Sequence, residues 1–313
     1  MSVVKTYNAK VNIGMQDNPF ETRRELRARK LLIGGILAVI AAVITNAILF
    51  RFRSSPLPSA LFILFVYGFF FLFNFGGLSR VSLSYDRLFG GFPAWRRLGR
   101  YALWVVPLVI VSIAATYILY LPLSYVFPGF VESWYLESST VMIWTEGDNY
   151  IPANAINYLT IVLVAPVMEE FFARGILLTR WTVKWGVPRA IIVSSVVFGL
   201  LHTNFIGGFA FACVMAILYI RTKSLFIPIS LHILNNLTAW IMESLTMDLD
   251  PPVSYQTIAE FQESWAIGLI ALVISIPCVI VFWRRYISKN DWRVPYLTEV
   301  PESENNANLK EGK

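Results

Sequence analysis

Long apolar runs separated by short polar segments dominate this chain. Eight runs predict membrane-crossing helices, at about 31–50, 57–78, 101–124, 154–178, 188–204, 205–220, 225–245 and 265–284. The main runs have the roughly 20 residues that a helix needs to cross a hydrocarbon core about 30 Å thick. The fifth and sixth runs are short, and "TNFIGG" where they meet predicts a tight turn, so this pair forms a hairpin or a broken pair. The pattern predicts an all-α, polytopic membrane protein.

The distribution of basic residues supports this count and sets an orientation. With the N-terminus inside, 23 of the 26 Lys and Arg residues fall in the predicted inner segments. Two others, Arg51 and Arg53, fall outside, and Arg174 lies within a run. Because inner loops of membrane proteins are enriched in Lys and Arg, we expect both termini to be cytoplasmic.

Composition agrees with a membrane protein. The chain is 56% hydrophobic and 15% charged, whereas a soluble domain is about a quarter charged. The net charge of +6 fits basic loops against anionic lipid head groups, so membrane lipids rather than nucleic acid are the expected partner.

Cys213 and Cys278 lie in apolar runs, so no disulfide framework is expected. The first run begins at about residue 31 and is long for a signal sequence, so no cleavable signal peptide is expected.

Four ionisable side chains lie within the apolar runs, where charge is costly and usually functional. Glu243 is at the end of its run and can reach water. Glu170 and Arg174 are four residues apart on one helix face, so they are predicted to form an ion pair. Glu169 is rotated about 100° from Glu170 and needs a partner on another helix, or water.

The two histidines of the chain, His202 and His232, both lie in predicted spans. "SLHILNNL" puts His232 and Asn236 on one helix face, and "FGLLHTN" does the same for Phe198 and His202. Three helices can therefore bring Glu169, His202, His232 and Asn236 into one polar pocket. The expected depths agree less well for His202. A straight helix that starts at 188 puts it roughly 20 Å from the inner end of its helix, whereas Glu169 is roughly 14 Å from the inner end of its own. A shifted or tilted fifth span would resolve the difference.

This set of residues supports hydrolysis of a peptide bond by either of two routes. A carboxylate and a histidine can activate water, while a second histidine and an amide donate to the oxyanion. Alternatively, Glu169, His202 and His232 can bind a zinc ion that activates water. Neither H-E-x-x-H nor G-x-S-x-G occurs. Cys213 has no base beside it in sequence and is interpreted as a packing residue.

Three short motifs occur in order in this region. "EEFFAR" fits E-E-x-x-x-R, "FGLLH" fits F-x-x-x-H and "HILNN" fits H-x-x-x-N. Their order and spacing resemble the CPBP intramembrane proteases, also called the CAAX-protease and bacteriocin-processing or Abi family, which includes the type II CAAX prenyl endopeptidase. The resemblance covers roughly residues 150–245. One departure is "FFA" before Arg174, where many relatives have an aromatic residue directly before the arginine.

The resemblance implies roles for the site residues. Glu169 and His202 would activate the attacking water, and His232 with Asn236 would stabilise the oxyanion. Glu170 and Arg174 would be structural. The chain then divides into five segments: a basic cytoplasmic lead (1–30), N-terminal membrane helices with an outer loop (31–150), a CPBP-like catalytic core (151–245), an outer loop with the last membrane helix (246–289), and a disordered cytoplasmic tail (290–313).

The resulting hypothesis is an intramembrane endopeptidase that acts on a membrane-associated peptide or protein. In a host that prenylates proteins, the expected substrate is a prenylated C-terminal tripeptide; in a bacterium it is a bacteriocin leader, signal peptide or membrane regulator. The basic loops and the lack of an organelle signal favour a bacterial plasma membrane. The alternative is a catalytically silent scaffold or regulator of a partner membrane enzyme. A transporter is disfavoured because no repeats or paired broken helices are seen.

Overall fold

The computed structural model describes residues 18–51, 53, 55–136, 143–246, 255, 257–289 and 291–298. Those residues form helices and connecting turns, and no strand occurs among them. The predicted all-α class is therefore confirmed. Most of the basic lead, the ends of both longer outer loops and the tail beyond 298 lie outside the described residues.

Eight principal helices follow the eight apolar runs, with ends that differ by a few residues. They are α1 (Ala28–Phe50), α2 (Pro56–Leu78), α3 (Val105–Val126), α4 (the helical run 150–185), α5 (Val187–Leu200), α6 (Phe205–Thr222), α7 (Phe226–Thr246) and α8 (Trp265–Phe282).

The apolar helices identify a multi-pass membrane protein. Within the described ranges, five helices are long and apolar enough to cross a membrane: Ala28–Phe50, Pro56–Leu78, Trp95–Val126, Phe205–Thr222 and Trp265–Ile287. Large side chains on the outer helices, such as Ile48 (73% exposed) and Ile270 (59% exposed), have no protein cover and suit a lipid surround. The full count of eight spans and the orientation of the termini stay predictions.

Short helices lie between and beside the principal ones. They are Pro19–Thr22, Arg24–Leu26, Tyr85–Phe89, Trp95–Ala102, Pro128–Val131, Glu132–Leu136, Ile258–Glu263, Trp283–Ile287 and Pro295–Leu297. Trp95–Ala102 displaces the start of the third predicted run from 101 to Val105. It exposes Trp95 and three arginines, as expected for a helix at a membrane interface.

Residues 291–298, predicted to be disordered, instead pack against the helix bundle. Tyr296 is 4% exposed and meets the ring of Phe20 edge-on at 4.8 Å. Arg87 donates to the Tyr296 carbonyl at 2.6 Å. The prediction failed because it rested on the polar composition of the tail. Two contacts hold this segment, the ring contact of Tyr296 with Phe20 and the bond from Arg87 to the Tyr296 carbonyl, and both partners are far away in sequence.

Helix α4 is the centre of the bundle and has an unusual backbone. Its α-helical stretches Tyr150–Tyr158, Ala165–Glu170 and Thr179–Trp185 alternate with two π-helical stretches, Leu159–Val164 and Phe171–Leu178. A π turn is wider than an α turn, so side chains change face along the helix, and such turns are frequent at functional sites. Helices α2, α5, α6 and α7 pack around α4. The acidic pair of α4 is thereby held between the two π-helical stretches and inside the bundle.

Candidate active site

The predicted ion pair of α4 is present and buried. Arg174 Nη1 donates to Glu170 Oε1 at 2.9 Å, and the side chains are 2% and 0% exposed. The guanidinium also donates to the Ala212 carbonyl at 3.3 Å and lies 4.6 Å from the centre of the Phe198 ring. A buried charge requires a partner and further hydrogen bonds, and Arg174 has both.

Glu170 also holds a histidine, a contact that the sequence analysis missed. Its Oε1 lies 2.9 Å from His232 Nδ1 on α7. Because an ionised carboxylate accepts hydrogen bonds only, Nδ1 carries the proton and the ring is fixed in one orientation. Phe211 packs edge-on against the same ring at 4.8 Å. Glu170 therefore orients His232, in addition to pairing with Arg174.

Glu169 faces His232 from the other side of the ring. Glu169 Oε2 lies 3.9 Å from His232 Nε2, and this oxygen is buried with no hydrogen-bond partner in the described part of the chain. The other oxygen, Oε1, accepts from the Tyr67 hydroxyl of α2 at 2.5 Å. A separation of 3.9 Å is too long for a direct hydrogen bond; it is a distance that one water about 2.8 Å from each atom would span.

Asn236 lies one turn along α7 from His232, as predicted. Its amide nitrogen donates to the Ile161 carbonyl at 3.0 Å. Ile161 belongs to the first π-helical stretch of α4, where the wider turn changes which carbonyls the helix itself can satisfy. Asn236 therefore ties α7 to α4 beside the acidic pair, and its second amide hydrogen is available to another acceptor.

His202 does not lie in a span, which corrects the prediction. Helix α5 ends at Leu200, and His202 is an exposed residue of the turn that follows. Its Nδ1 donates to the Phe198 carbonyl at 2.8 Å, and its ring stacks on the Phe198 ring at 4.5 Å. The same Phe198 ring is 6.1 Å from the His232 ring, so it lies beside both histidines. The depth mismatch counted Glu169 from residue 178. Helix α4 instead continues to Trp185, so Glu169 and His202 lie at nearly equal numbers of residues from the turn between α4 and α5.

Helix α3 supports the turn that carries His202. The Asn204 side chain accepts from Gly207 N at 2.9 Å, which caps α6, and donates to Thr116 Oγ1 of α3 at 2.8 Å. The Tyr120 hydroxyl, also on α3, donates to the Thr203 carbonyl. These contacts join segments more than 80 residues apart in sequence, so no local pattern could indicate them.

Asn204→Ala is expected to loosen this turn. The change removes a helix cap and a part-buried hydrogen bond to α3, and each is worth about 1 kcal/mol. We expect the free energy of unfolding to fall by roughly 2 kcal/mol, as measured by thermal unfolding in detergent. Thr257→Ala, which removes the cap on Glu260 N of an outer helix, is the control and loses only the cap. Equal losses in the two variants would contradict the role of α3.

The fourth acidic candidate, Glu243, lies apart from this cluster near the outer end of α7. Its carboxylate accepts from Ile143 N at 3.2 Å, which attaches the outer loop to α7. Glu243 was expected to reach water from the end of its run; the structure adds a backbone partner in the loop.

The proposed zinc ligands are only partly brought together. Glu169 and His232 face each other, but His202 uses Nδ1 for the Phe198 carbonyl and lies in the exposed turn. Within the ranges that the structure describes, no group of three or more His, Cys, Asp or Glu side chains is arranged to hold a metal. This arrangement does not fit a three-ligand zinc site, and zinc dependence stays a prediction that metal analysis and chelation of the purified protein can test.

Comparison with known proteins bears on this same region. Residues 151–238 match the family described as "Type II CAAX prenyl endopeptidase Rce1-like". The resemblance to the CPBP family is confirmed. The Rce1-like segment contains all six candidate site residues: Glu169, Glu170, Arg174, His202, His232 and Asn236. Tyr67 of α2 lies outside it.

One curated relative shares part of the chain. It is a protein of Bacillus subtilis (strain 168) named "Putative membrane peptidase YdiL", 31% identical over 113 residues. The similarity covers 34% of this chain and 43% of the relative, so it spans less than half of either protein. No solved structure matches. The family match covers residues 151–238, so α1 to α3 lie outside it.

Proposed function

We propose that the protein is an intramembrane endopeptidase, in which Glu169 activates water to cleave a peptide bond. One observation carries the proposal: Glu169 Oε2 and His232 Nε2 face each other at 3.9 Å, and the carboxylate oxygen has no other partner in the described residues. An unpartnered buried carboxylate oxygen is costly, so it is expected at a place where water or substrate binds. The Rce1-like match and the printed name of the Bacillus relative support the same activity.

The first step uses Glu169 as general base. Glu169 takes a proton from the bridging water while the water oxygen attacks the carbonyl carbon of the substrate. His202 assists from the neighbouring turn, because its Nδ1 keeps the proton that is donated to the Phe198 carbonyl. In the neutral ring, Nε2 is then the free basic nitrogen.

The second part of the mechanism stabilises the oxyanion. His232 donates Nδ1–H to Glu170. When Nε2 also carries a proton, that nitrogen can donate to the oxyanion. The second amide hydrogen of Asn236 is a further donor.

Collapse of the tetrahedral intermediate completes the reaction. The proton held by Glu169 moves to the amide nitrogen and the C–N bond breaks, which leaves a carboxylic acid and an amine. The acid then transfers its proton to the amine, so the final products are a carboxylate and an ammonium group. The water supplies the second oxygen of the carboxylate, and Glu169 is ionised again because it has given up its proton.

The proposed substrate is a peptide or protein tail held at a membrane. The apolar surroundings of the site and the family description both favour such a substrate. A prenylated C-terminal tripeptide is proposed for a host that prenylates proteins, and a leader, signal peptide or membrane regulator for a bacterium. We place the protein in the plasma membrane as part of the same proposal, because its basic segments suit anionic cytoplasmic head groups.

A profile of peptide termini in host membranes tests this function. Cells expressing the wild type are compared with cells expressing Glu169→Gln at matched levels. We expect new termini that appear only with the wild type, and their sequences would identify the substrate class. If both proteins are folded and abundant and the profiles are the same, the alternative holds: a silent scaffold or regulator of a partner membrane enzyme.

A further inference from the structure

Helix α2 contributes one polar group to the site, although it lies outside the Rce1-like segment. The Tyr67 hydroxyl donates to Glu169 Oε1 at 2.5 Å across 102 residues of sequence. Tyr67 stands in "FILFVYGFFFLF", where its neighbours are apolar. Two other polar side chains of α2 bond within their own helix: Ser59 to the Ser55 carbonyl and Asn74 to the Phe70 carbonyl.

A second contact fixes the register between α2 and α4. Phe70 meets Phe172 edge-on, with ring centres 4.8 Å apart. Phe70 follows Tyr67 by three residues, and Phe172 follows Glu169 by three residues, so both contacts lie on one face of each helix. Sliding either helix by one residue would break both contacts. The position of the Tyr67 hydroxyl is therefore set by packing and does not depend on the hydrogen bond alone.

The hydrogen bond distinguishes the two oxygens of Glu169. Tyr67 occupies Oε1, and Oε2 is the oxygen that faces His232 Nε2. The terminal torsion of a glutamate is broad, so a carboxylate without this anchor samples many orientations. We propose that Tyr67 is a positioning residue, which holds Glu169 so that Oε2 faces His232 and the attacking water. This inference rests on the proposed peptidase function.

A purely structural tyrosine behaves differently. The Tyr219 hydroxyl of α6 donates to the Leu88 carbonyl at 2.7 Å, so its partner is a backbone group that no proposed step uses. Tyr67 instead donates to the carboxylate that accepts the proton of water. Loss of the Tyr67 hydroxyl should therefore change the rate of the chemical step more than it changes folding or substrate binding.

The first test is Tyr67→Phe, assayed on a substrate identified by the terminus profile. The change keeps the ring and its packing and removes one hydrogen bond to a charged group. We expect kcat to fall roughly 10- to 100-fold, with KM and the unfolding temperature close to those of the wild type. Tyr219→Phe is the matched control, because it removes one tyrosine hydroxyl bond away from the acidic pair, and its kcat is expected to stay near that of the wild type.

A double-mutant cycle tests positioning directly. Glu169→Asp shortens the side chain by one methylene, so the carboxylate can no longer both meet Tyr67 and face His232. Adding Tyr67→Phe to Glu169→Asp is therefore expected to cause little further loss of kcat. Losses that simply add in the double variant would overturn the proposal, because they mean that Tyr67 acts independently of Glu169.

The outcomes separate this inference from the proposed function. An active wild type, an inactive Glu169→Gln and a Tyr67→Phe variant with full kcat overturn the role of Tyr67 and leave the peptidase standing. A wild type that produces no termini beyond those of Glu169→Gln overturns both. A fall in kcat that is matched by a fall in unfolding temperature overturns the positioning role in favour of a structural one.

Discussion

Glu169→Gln is expected to lower turnover by roughly 10³-fold and leave the protein folded. General base catalysis contributes about 10²- to 10⁴-fold, and an amide cannot take the proton from water. The two side chains have nearly the same shape, so the amide can still accept from Tyr67 at the position of Oε1. The side chain is 24% exposed, so the amide does not have to be buried completely. Folding should consequently be little affected.

This prediction is checked with purified protein. Turnover is measured on the substrate found by terminus profiling, together with unfolding temperature and yield in detergent. Glu263→Gln, at an exposed position of an outer helix, makes the same chemical change outside the site and should leave turnover intact. Retained turnover in Glu169→Gln, with the control behaving normally, would remove Glu169 from the mechanism.

Arg174→Ala is expected to destabilise the protein far more than Glu169→Gln does. The substitution removes the cationic partner of Glu170, which is fully buried, and the bond to the Ala212 carbonyl. Breaking one half of a buried ion pair costs about 3–5 kcal/mol. His232 Nδ1 still bonds to Glu170 Oε1, but that oxygen loses the guanidinium that helps to hold it in place. We therefore expect low yield and a lower unfolding temperature together with a loss of turnover.

Two comparisons make this prediction specific. Arg293→Ala removes an ion pair whose side chains are 70% and 57% exposed, and such surface pairs are worth about 0–1 kcal/mol. Adding Glu170→Gln to Arg174→Ala removes the stranded charge, so part of the lost stability should return. Equal yield and unfolding temperature in Arg174→Ala and Glu169→Gln would argue against the role of the buried pair.

Hydrophobic periodicity was sufficient to predict the helices but less reliable at their ends. A run of about 20 apolar residues in a bilayer forms a helix because its backbone groups have no water to bond to, so all eight helices were located. Helix α5 ends at Leu200 because Asn204 caps the next helix and bonds to Thr116 of α3. The position of this helix end determines whether His202 lies in a helix or in a turn. It depends on the contact between Asn204 and Thr116, which are 88 residues apart in sequence.

Local spacing predicted the contacts within one helix and missed those between helices. Glu170 and Arg174 are four residues apart, so their pair follows from helix geometry alone. The contact of Glu170 with His232 spans 62 residues and needs the packing of α4 against α7. Glu169 was expected to meet a group on another helix, or water; it meets Tyr67 of α2, whose identity was not predicted. The signal for Tyr67 was present, since its hydroxyl is the one side-chain polar group in "FILFVYGFFFLF".

The π-helical stretches of α4 make the site sensitive to the number of residues as well as to their identity. Each wide turn accommodates an added residue in the helical ladder. Deleting one residue within Leu159–Val164 would restore a regular helix and leave the acidic pair facing nearly the same way, because the wide turn had absorbed that residue. The deletion would also return the Ile161 carbonyl to the hydrogen-bond ladder of α4, so Asn236 would lose its acceptor. A frame-preserving deletion of one apolar codon would therefore break this tie between α4 and α7 while every proposed catalytic side chain remains encoded.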